Sequence, residues 1–303
     1  MSQTDSKSKI INFPGKIVSK NHRIGRTNPR KRNANAQVIA ITSGKGGVGK
    51  TNIVANLGFA LSQMGKKVLI LDADLGLGNI DVLLGLTPKY NLSHVVMGEK
   101  GVPEIVIEGP MNLKILPACS GIQEITQLTE DQRIQILAEL GLFLEPIDIL
   151  LIDTAAGISS NVMVFNTAAQ QILVVVTPEP TSMTDAYALM KVMSLKYSKK
   201  NFKLLVNLAA SPSEAYEIFR QLTLVSSRFL DITIEYLGHV LVDDKLTKSV
   251  RRQKLLCDTY PGSVGSKCFF TLAEQICKLP LPDSLKGNKI PFWDKLIESR
   301  FEK

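Results

Sequence analysis

From Val38 onward the chain alternates between two patterns of apolar and polar positions. Short, nearly continuous apolar runs occur at Val38–Thr42, Lys67–Leu71, Leu113–Leu116, Ile147–Ile152, Gln171–Val176, Lys203–Val206 and Tyr236–Leu241. Runs of that length and continuity mark strands covered on both faces. Between them lie helix-like patterns over Asn52–Met64, Glu130–Leu144, Ser182–Lys199, Ser213–Phe229 and Ser263–Lys278. Strand alternating with helix predicts an α/β fold, a doubly wound and mostly parallel sheet with crossover helices, over residues 37–278. No internal repeat is evident.

The pattern changes toward both ends. Pro280, Pro282 and Gly287 mark residues 279–290 as a linker. Beyond it, with successive residues about 100° apart on a helix, Phe292, Trp293, Leu296, Ile297 and Phe301 fall on one half of residues 291–303. Asp294, Lys295, Glu298, Ser299 and Glu302 fall on the other. Such an amphipathic helix either enters a bilayer interface or docks back on its own domain. Acidic and basic side chains balance in it, so anionic lipid adds little, and Arg300 lies within the apolar half and must snorkel.

Charge separates the other end. Residues 1–36 carry nine lysines and arginines against Asp5 alone, which accounts for the whole chain's formal net charge of +8. The body is thus formally neutral. Its neutrality argues against a basic DNA-binding face on the domain and assigns the high pI to an arm whose composition does not support independent folding. That arm is either a solvated tail or a contact for nucleic acid, anionic lipid or an acidic partner. Cys119, Cys257, Cys268 and Cys277 form no C-x-x-C pair and no zinc-like spacing with His22, His94 or His239, which argues against a disulfide or metal framework. With no leader-like run and no long apolar stretch, the expectation is a cytoplasmic protein with reduced thiols.

The candidate chemistry sits where the first strand gives way to the first helix. Gly44-Lys45-Gly46-Gly47-Val48-Gly49-Lys50-Thr51 satisfies G-x-x-x-x-G-K-[ST], the pattern that turns successive backbone N–H groups toward phosphate oxygens at a helix's positive end. Lys50 is expected to contact the β- and γ-phosphates, and the Thr51 hydroxyl to ligate magnesium. A second lysine in the loop, Lys45, needs a negative partner or it repels Lys50. After the second strand come Asp72 and Asp74, at the strand end where open α/β sheets bind ligands. Alternate residues of an extended chain point the same way, so both carboxylates can face the nucleotide. Ile149-Leu150-Leu151-Ile152-Asp153 is an apolar strand ending in a carboxylate, which suits a water-mediated magnesium contact. The small-residue turn Thr154-Ala155-Ala156-Gly157 follows.

The string Lys45-Gly46-Gly47-Val48-Gly49-Lys50-Thr51 resembles the deviant Walker A motif of the MinD/ParA family of ATPases. The resemblance covers about residues 37–278 and implies an ATP- and Mg2+-dependent P-loop ATPase that forms a homodimer with ATP sandwiched between subunits. By that resemblance Lys45 reaches across the dimer to the partner's phosphates; the rival is a lysine that adds positive potential in cis. Asp72 would lie near magnesium and Asp74 would orient the attacking water. Gly157 would answer to the γ-phosphate. Asp185 would lie near the dimer and partner surface, unless Thr177–Asp185 is simply an N-cap region served by Thr181 or Ser182. Asn207 would bond the adenine edge, with Val242, Asp243 and Asp244 on the other side of the base.

Within the family, the strings at 49–57 and 72–85 are most similar to the FlhG/FleN branch, which regulates flagellar number and placement. Asn52, where many relatives have a hydroxyl residue, is one pointer. That branch implies an FlhF-type GTPase or a FleQ-type activator as partner, and a terminal helix that binds the membrane in the ATP state, at the inner face of the cytoplasmic membrane and the cell pole. Residues 1–36 lack the D-Q-A-x-x-L-R pattern with which FlhG relatives stimulate FlhF. A MinD-like division-site regulator and a ParA-like DNA-partitioning ATPase are the alternatives.

Overall fold

The computed structural model describes residues 36–74, 76, 78–118, 129, 132, 136, 139–140 and 147–279. The arm up to residue 35, the linker from residue 280, the terminal helix with Phe292, Trp293, Leu296, Ile297 and Phe301, and Cys119 lie outside them. In chain order the elements are β1 Gln37–Thr42, α1 Lys50–Gln63, β2 Val68–Ala73, α2 Ile80–Leu84, α3 Leu92–Val96, α4 Val102–Ile105, β3 Ile107–Glu108, β4 Lys114–Leu116 and β5 Ile149–Thr154. Then come α5 Ser160–Ala168, β6 Gln171–Val176, α6 Pro180–Tyr197, β7 Asn201–Ala209, α7 Pro212–Phe229, β8 Thr233–Leu241, α8 Asp244–Arg251, α9 Leu256–Thr259 and α10 Val264–Lys278. Of the expected helix Glu130–Leu144, the described residues Gln132, Ile136, Glu139 and Leu140 are helical.

The strands form one sheet in the order β3-β4-β2-β5-β1-β6-β7-β8. Every pairing is parallel except β3 with β4. The alternation of β1 explains its unbroken apolar run: Ile39 and Ile41 enter the core under α1 and α10, while Val38 and Ala40 enter the core on the opposite face. A third cluster packs α6 and α7 onto β6 and β7 through Val174, Val176, Leu189, Met190 and Leu222. Helix α1 is buried at every position from Ile53 to Ser62, as a central helix must be.

Two extensions matter for the site. The apolar runs of the second and fifth strands end at Leu71 and Ile152, yet β2 continues through Asp72 and β5 through Asp153, because the two carboxylate residues are register partners in the ladder. Strand β7 begins two residues before its apolar run and carries a bulge at Leu208, whose φ is 57°. The two-residue antiparallel strand β3 and helices α2 to α5, α8 and α9 leave too short a periodic signal to be read in advance.

Candidate nucleotide-binding site

The loop between β1 and α1 lies beside the neighbours of β1 on both sides, at the carboxyl ends of the strands. Its glycines answer to specific neighbours. A Cβ on Gly44 would lie 2.1 Å from the carbonyl oxygen of Asp185, and one on Gly49 would lie 2.6 Å from Asn207 Nδ2. Gly49 also has φ of 90°, in the left-handed region. Asn207 is buried, and its Nδ2 donates to the Val48 carbonyl at 2.7 Å. Lys50 Nζ donates to Ser43 Oγ at 2.8 Å, and that hydroxyl donates to the Lys45 carbonyl at 2.7 Å. Burial lowers the Lys50 pKa, opposed by the charges of Asp153 and Asp74.

Behind the lysine sit the carboxylates. Asp72 accepts the N–H groups of Asp74 at 3.2 Å, Asn79 at 3.1 Å and Ile80 at 3.3 Å. Burial, and then the charge of Asp153, push its pKa up to about 8 against the pull of the Ile80 and Asp74 N–H groups. Asp153 is pushed up to about 7 by burial, despite a hydrogen bond from Thr51 and the charge of Lys50. Its Oδ1 is buried with no protein partner. Two buried carboxylates, one with an unsatisfied oxygen, and a threonine hydroxyl suit a magnesium ion. Among the described residues no group of three or more His, Cys, Asp or Glu could hold a metal.

The arrangement therefore brings Lys50, Thr51, Asp72 and Asp153 together. A cavity of about 500 Å³ opens beside them, lined by Gly46, Lys50, Thr51, Asp74, Asn79 and Gln253 among others. Asp74 lines it; Asp72 turns instead to the backbone that follows it. Lys45 stands apart at the rim, its side chain 34 % exposed, bonded to the Glu179 carboxylate and, at 3.0 Å, to Thr181 Oγ1. Gly157 has φ of 90° and its N–H donates to the Ser43 carbonyl at 2.9 Å.

Several expectations meet a different local geometry. The region around Asp185 is not capped by Thr181 or Ser182. Helix α6 starts at Pro180 with Glu179 as its uncapped N-cap, proline needing no N–H partner there, and Ser182 Oγ accepts the Thr177 N–H at 3.0 Å. Asp185 itself is exposed, its backbone against Gly44. Val242 is tied to the end of β7 through its N–H and the Ala209 carbonyl at 3.0 Å. The Asp243 carboxylate is occupied by the N–H groups of Lys245 and Gly265, both at 2.9 Å, while Asp244 is exposed in the first turn of α8. Ser43 and Gln253, and Glu179 and Thr181 as partners of Lys45, were not read from the sequence. The need of Lys45 for an anion was a signal for Glu179, but it named no position.

Comparison with known proteins places this geometry. A family model described as an AAA domain matches residues 36–206. The chain is 42% identical over 262 residues to the antiactivator FleN of Pseudomonas aeruginosa, covering 86% of this chain and 94% of that one. It is 35% identical over 241 residues to the flagellum site-determining protein YlxH of Helicobacter pylori, covering 79% and 81%. Among solved structures, the septum site-determining protein MinD complexed with Mg-ADP from Pyrococcus horikoshii superposes with a TM-score of 0.67 at 25% identity, over 84% of this chain and 99% of that one. Among the described residues no helix is long and apolar enough to cross a membrane.

Proposed function

The chain belongs to the MinD/ParA family of P-loop ATPases, and from that premise we propose that it is an ATP-dependent dimerising switch that regulates flagellar number and placement. One observation carries the reading: the two lysines of a single phosphate loop are turned to different work. Lys50 faces inward to Ser43, Asp153 and Asp74, whereas Lys45 is held outward at the rim by Glu179 and Thr181. A cation held at the surface by one carboxylate is placed to exchange that carboxylate for the triphosphate of a second subunit. Similarity to FleN and YlxH supports the flagellar role.

The Thr51 hydroxyl would hold magnesium directly and Asp153 and Asp72 through water, and the ion would offset phosphate charge; the Mg-ADP complex of the Pyrococcus horikoshii relative supports this use. The loop N–H groups and Lys50 hold the β- and γ-phosphates, and the partner's Lys45 adds positive charge as the γ-phosphoryl group leaves. Asp74 orients the attacking water. The Gly157 segment, bonded to Ser43, is placed to respond when the γ-phosphate is lost. Asn207 and Val242–Asp244 would flank the adenine, and Asp185 would face the dimer and partner surface. Slow hydrolysis would reset the switch.

The closed dimer would present its partner surface to a FleQ-type activator, as the antiactivator name of the FleN relative suggests, or to an FlhF-type GTPase. Phe292, Trp293, Leu296, Ile297 and Phe301 would anchor it to the membrane. An apolar groove of about 790 Å³ between α6 and α7 is lined by Met183, Tyr187, Ile218, Leu222 and Val225 among others. A DNA-partitioning role is disfavoured by the neutral body.

Light scattering of the Asp74→Ala protein with magnesium and ATP is expected to give a stable dimer that does not hydrolyse. Lys45→Ala is expected to stay monomeric with ATP still bound. A Lys45→Ala dimer of full strength would refute the trans role.

A further inference from the structure

The turn after α8 touches both halves of the candidate site. It closes as a helix end does: the Arg252 and Gln253 N–H groups donate to the Ser249 and Val250 carbonyls at 2.9 Å, and that of Lys254 to Ser249 at 3.1 Å. The closing residue, Gln253, is left-handed with φ of 53°. Glycine is the usual occupant of that position, and a side chain there is held against backbone strain.

The Gln253 side chain makes a contact that glycine lacks. Its Nε2 donates at 2.9 Å to the carbonyl of Val82, in the helix that follows Asp74. Gly85, which ends α2 and is left-handed at φ of 64°, lies against it: a Cβ there would stand 3.4 Å from the Cβ of Gln253, an ordinary contact distance. The start of α2 is tied by Asp72, which accepts the Asn79 and Ile80 N–H groups. Helix α2 is thus fastened at its start by a strand carboxylate and at Val82 by Gln253.

Helix α9, which follows the turn, is anchored to the phosphate-loop helix. The Cys257 N–H donates to Asn56 Oδ1 at 3.0 Å, and Asn56 Nδ2 donates to the Asn52 carbonyl at 2.9 Å, one residue beyond Thr51. Val250 and Gln253 then complete the wall of the cavity that Lys50, Thr51 and Asp74 line.

We propose that Gln253 is a positioning residue for hydrolysis, clamping α2 to the body so that Asp74 is held in place over the phosphates. This rests on the ATPase reading and on Asp74 as the residue that orients water. The side-chain hydrogen bond of Gln253 goes to α2 and not to the phosphate loop, so its loss is expected to fall on kcat rather than on KM.

The test uses the full chain with Gln253→Gly and Gln253→Met. Glycine is favoured in this turn, so folding is not at risk; methionine keeps the stem and removes the donor. In both, kcat for ATP is expected to fall roughly two- to tenfold, the range that one such hydrogen bond controls, with KM unchanged. Backbone amides of residues 78–85 in the nucleotide-free protein are expected to exchange hydrogen faster by a similar factor, while those of β1 and β6 do not change. Unchanged kcat and exchange in both variants, or a raised KM at constant kcat, would overturn the clamp. A wild-type chain that fails to hydrolyse ATP would instead sink the ATPase reading, and the positioning role with it, without any substitution.

Discussion

At the scale of single residues, the loop glycines are not interchangeable. A methyl group on Gly44 meets a main-chain carbonyl at 2.1 Å, which no rotamer can relieve, whereas on Gly46 its nearest neighbour is Ala156 Cβ at 4.0 Å. Gly44→Ala is therefore expected to cost about 1–3 kcal/mol, as overpacking does, and to abolish nucleotide binding. Gly46→Ala should stay within about 0.5 kcal/mol of the parent, as benign surface changes do. Urea midpoints and nucleotide titration of the two proteins measure the contrast. The residues that could be read from sequence were those that a local pattern marks: Lys50 and Thr51 belong to one loop, and Asp153 ends an apolar run. Glu179 meets Lys45 across 134 positions and Gln253 meets Val82 across 171; no local pattern encodes contacts of that span.

At the scale of elements, the seven apolar runs all became strands, because a strand in the interior of the sheet marks its place, though not its full length, in the sequence. Elements held by polar groups wrote nothing comparable. Helix α9 is one: its buried Cys257 is held by the amide of Asn56, itself buried in α1. Asn56→Leu would leave the Cys257 N–H without its acceptor, costing about 1–3 kcal/mol, and should loosen α9. Thiol labelling reports it directly, since Cys277 is exposed and should react at once, while Cys257 should react only after unfolding in the parent and sooner in the variant. Burial pushes the Cys257 thiol up to about 12. A folded pKa raised above the unfolded value gives stability that is complete below the ordinary thiol range near pH 9 and is lost as pH climbs toward 12. An alkaline melt of a Cys257→Ala protein, corrected for its lost packing, should lack that decline.

At the scale of the whole molecule, the formal charge is concentrated at one end of the chain. Removing residues 1–36 takes away the entire formal excess of +8. The shortened protein is expected to hydrolyse ATP as the parent does and to lose salt-sensitive retention on a DNA column, since that retention scales with the cations presented. Strong, salt-sensitive retention without the arm would restore the DNA-partitioning reading. Removal of residues 291–303 is expected to abolish ATP-dependent sedimentation with lipid vesicles and to leave dimerisation intact.

The parallel sheet has one further practical consequence. Strand β1 starts at Gln37 on one edge of the molecule and delivers the chain to the phosphate loop on the other, about 20 Å away at the usual rise per residue. A reporter joined directly to Gln37 is thus attached at the end of the sheet away from the phosphate loop. Reporters for live imaging belong at that end.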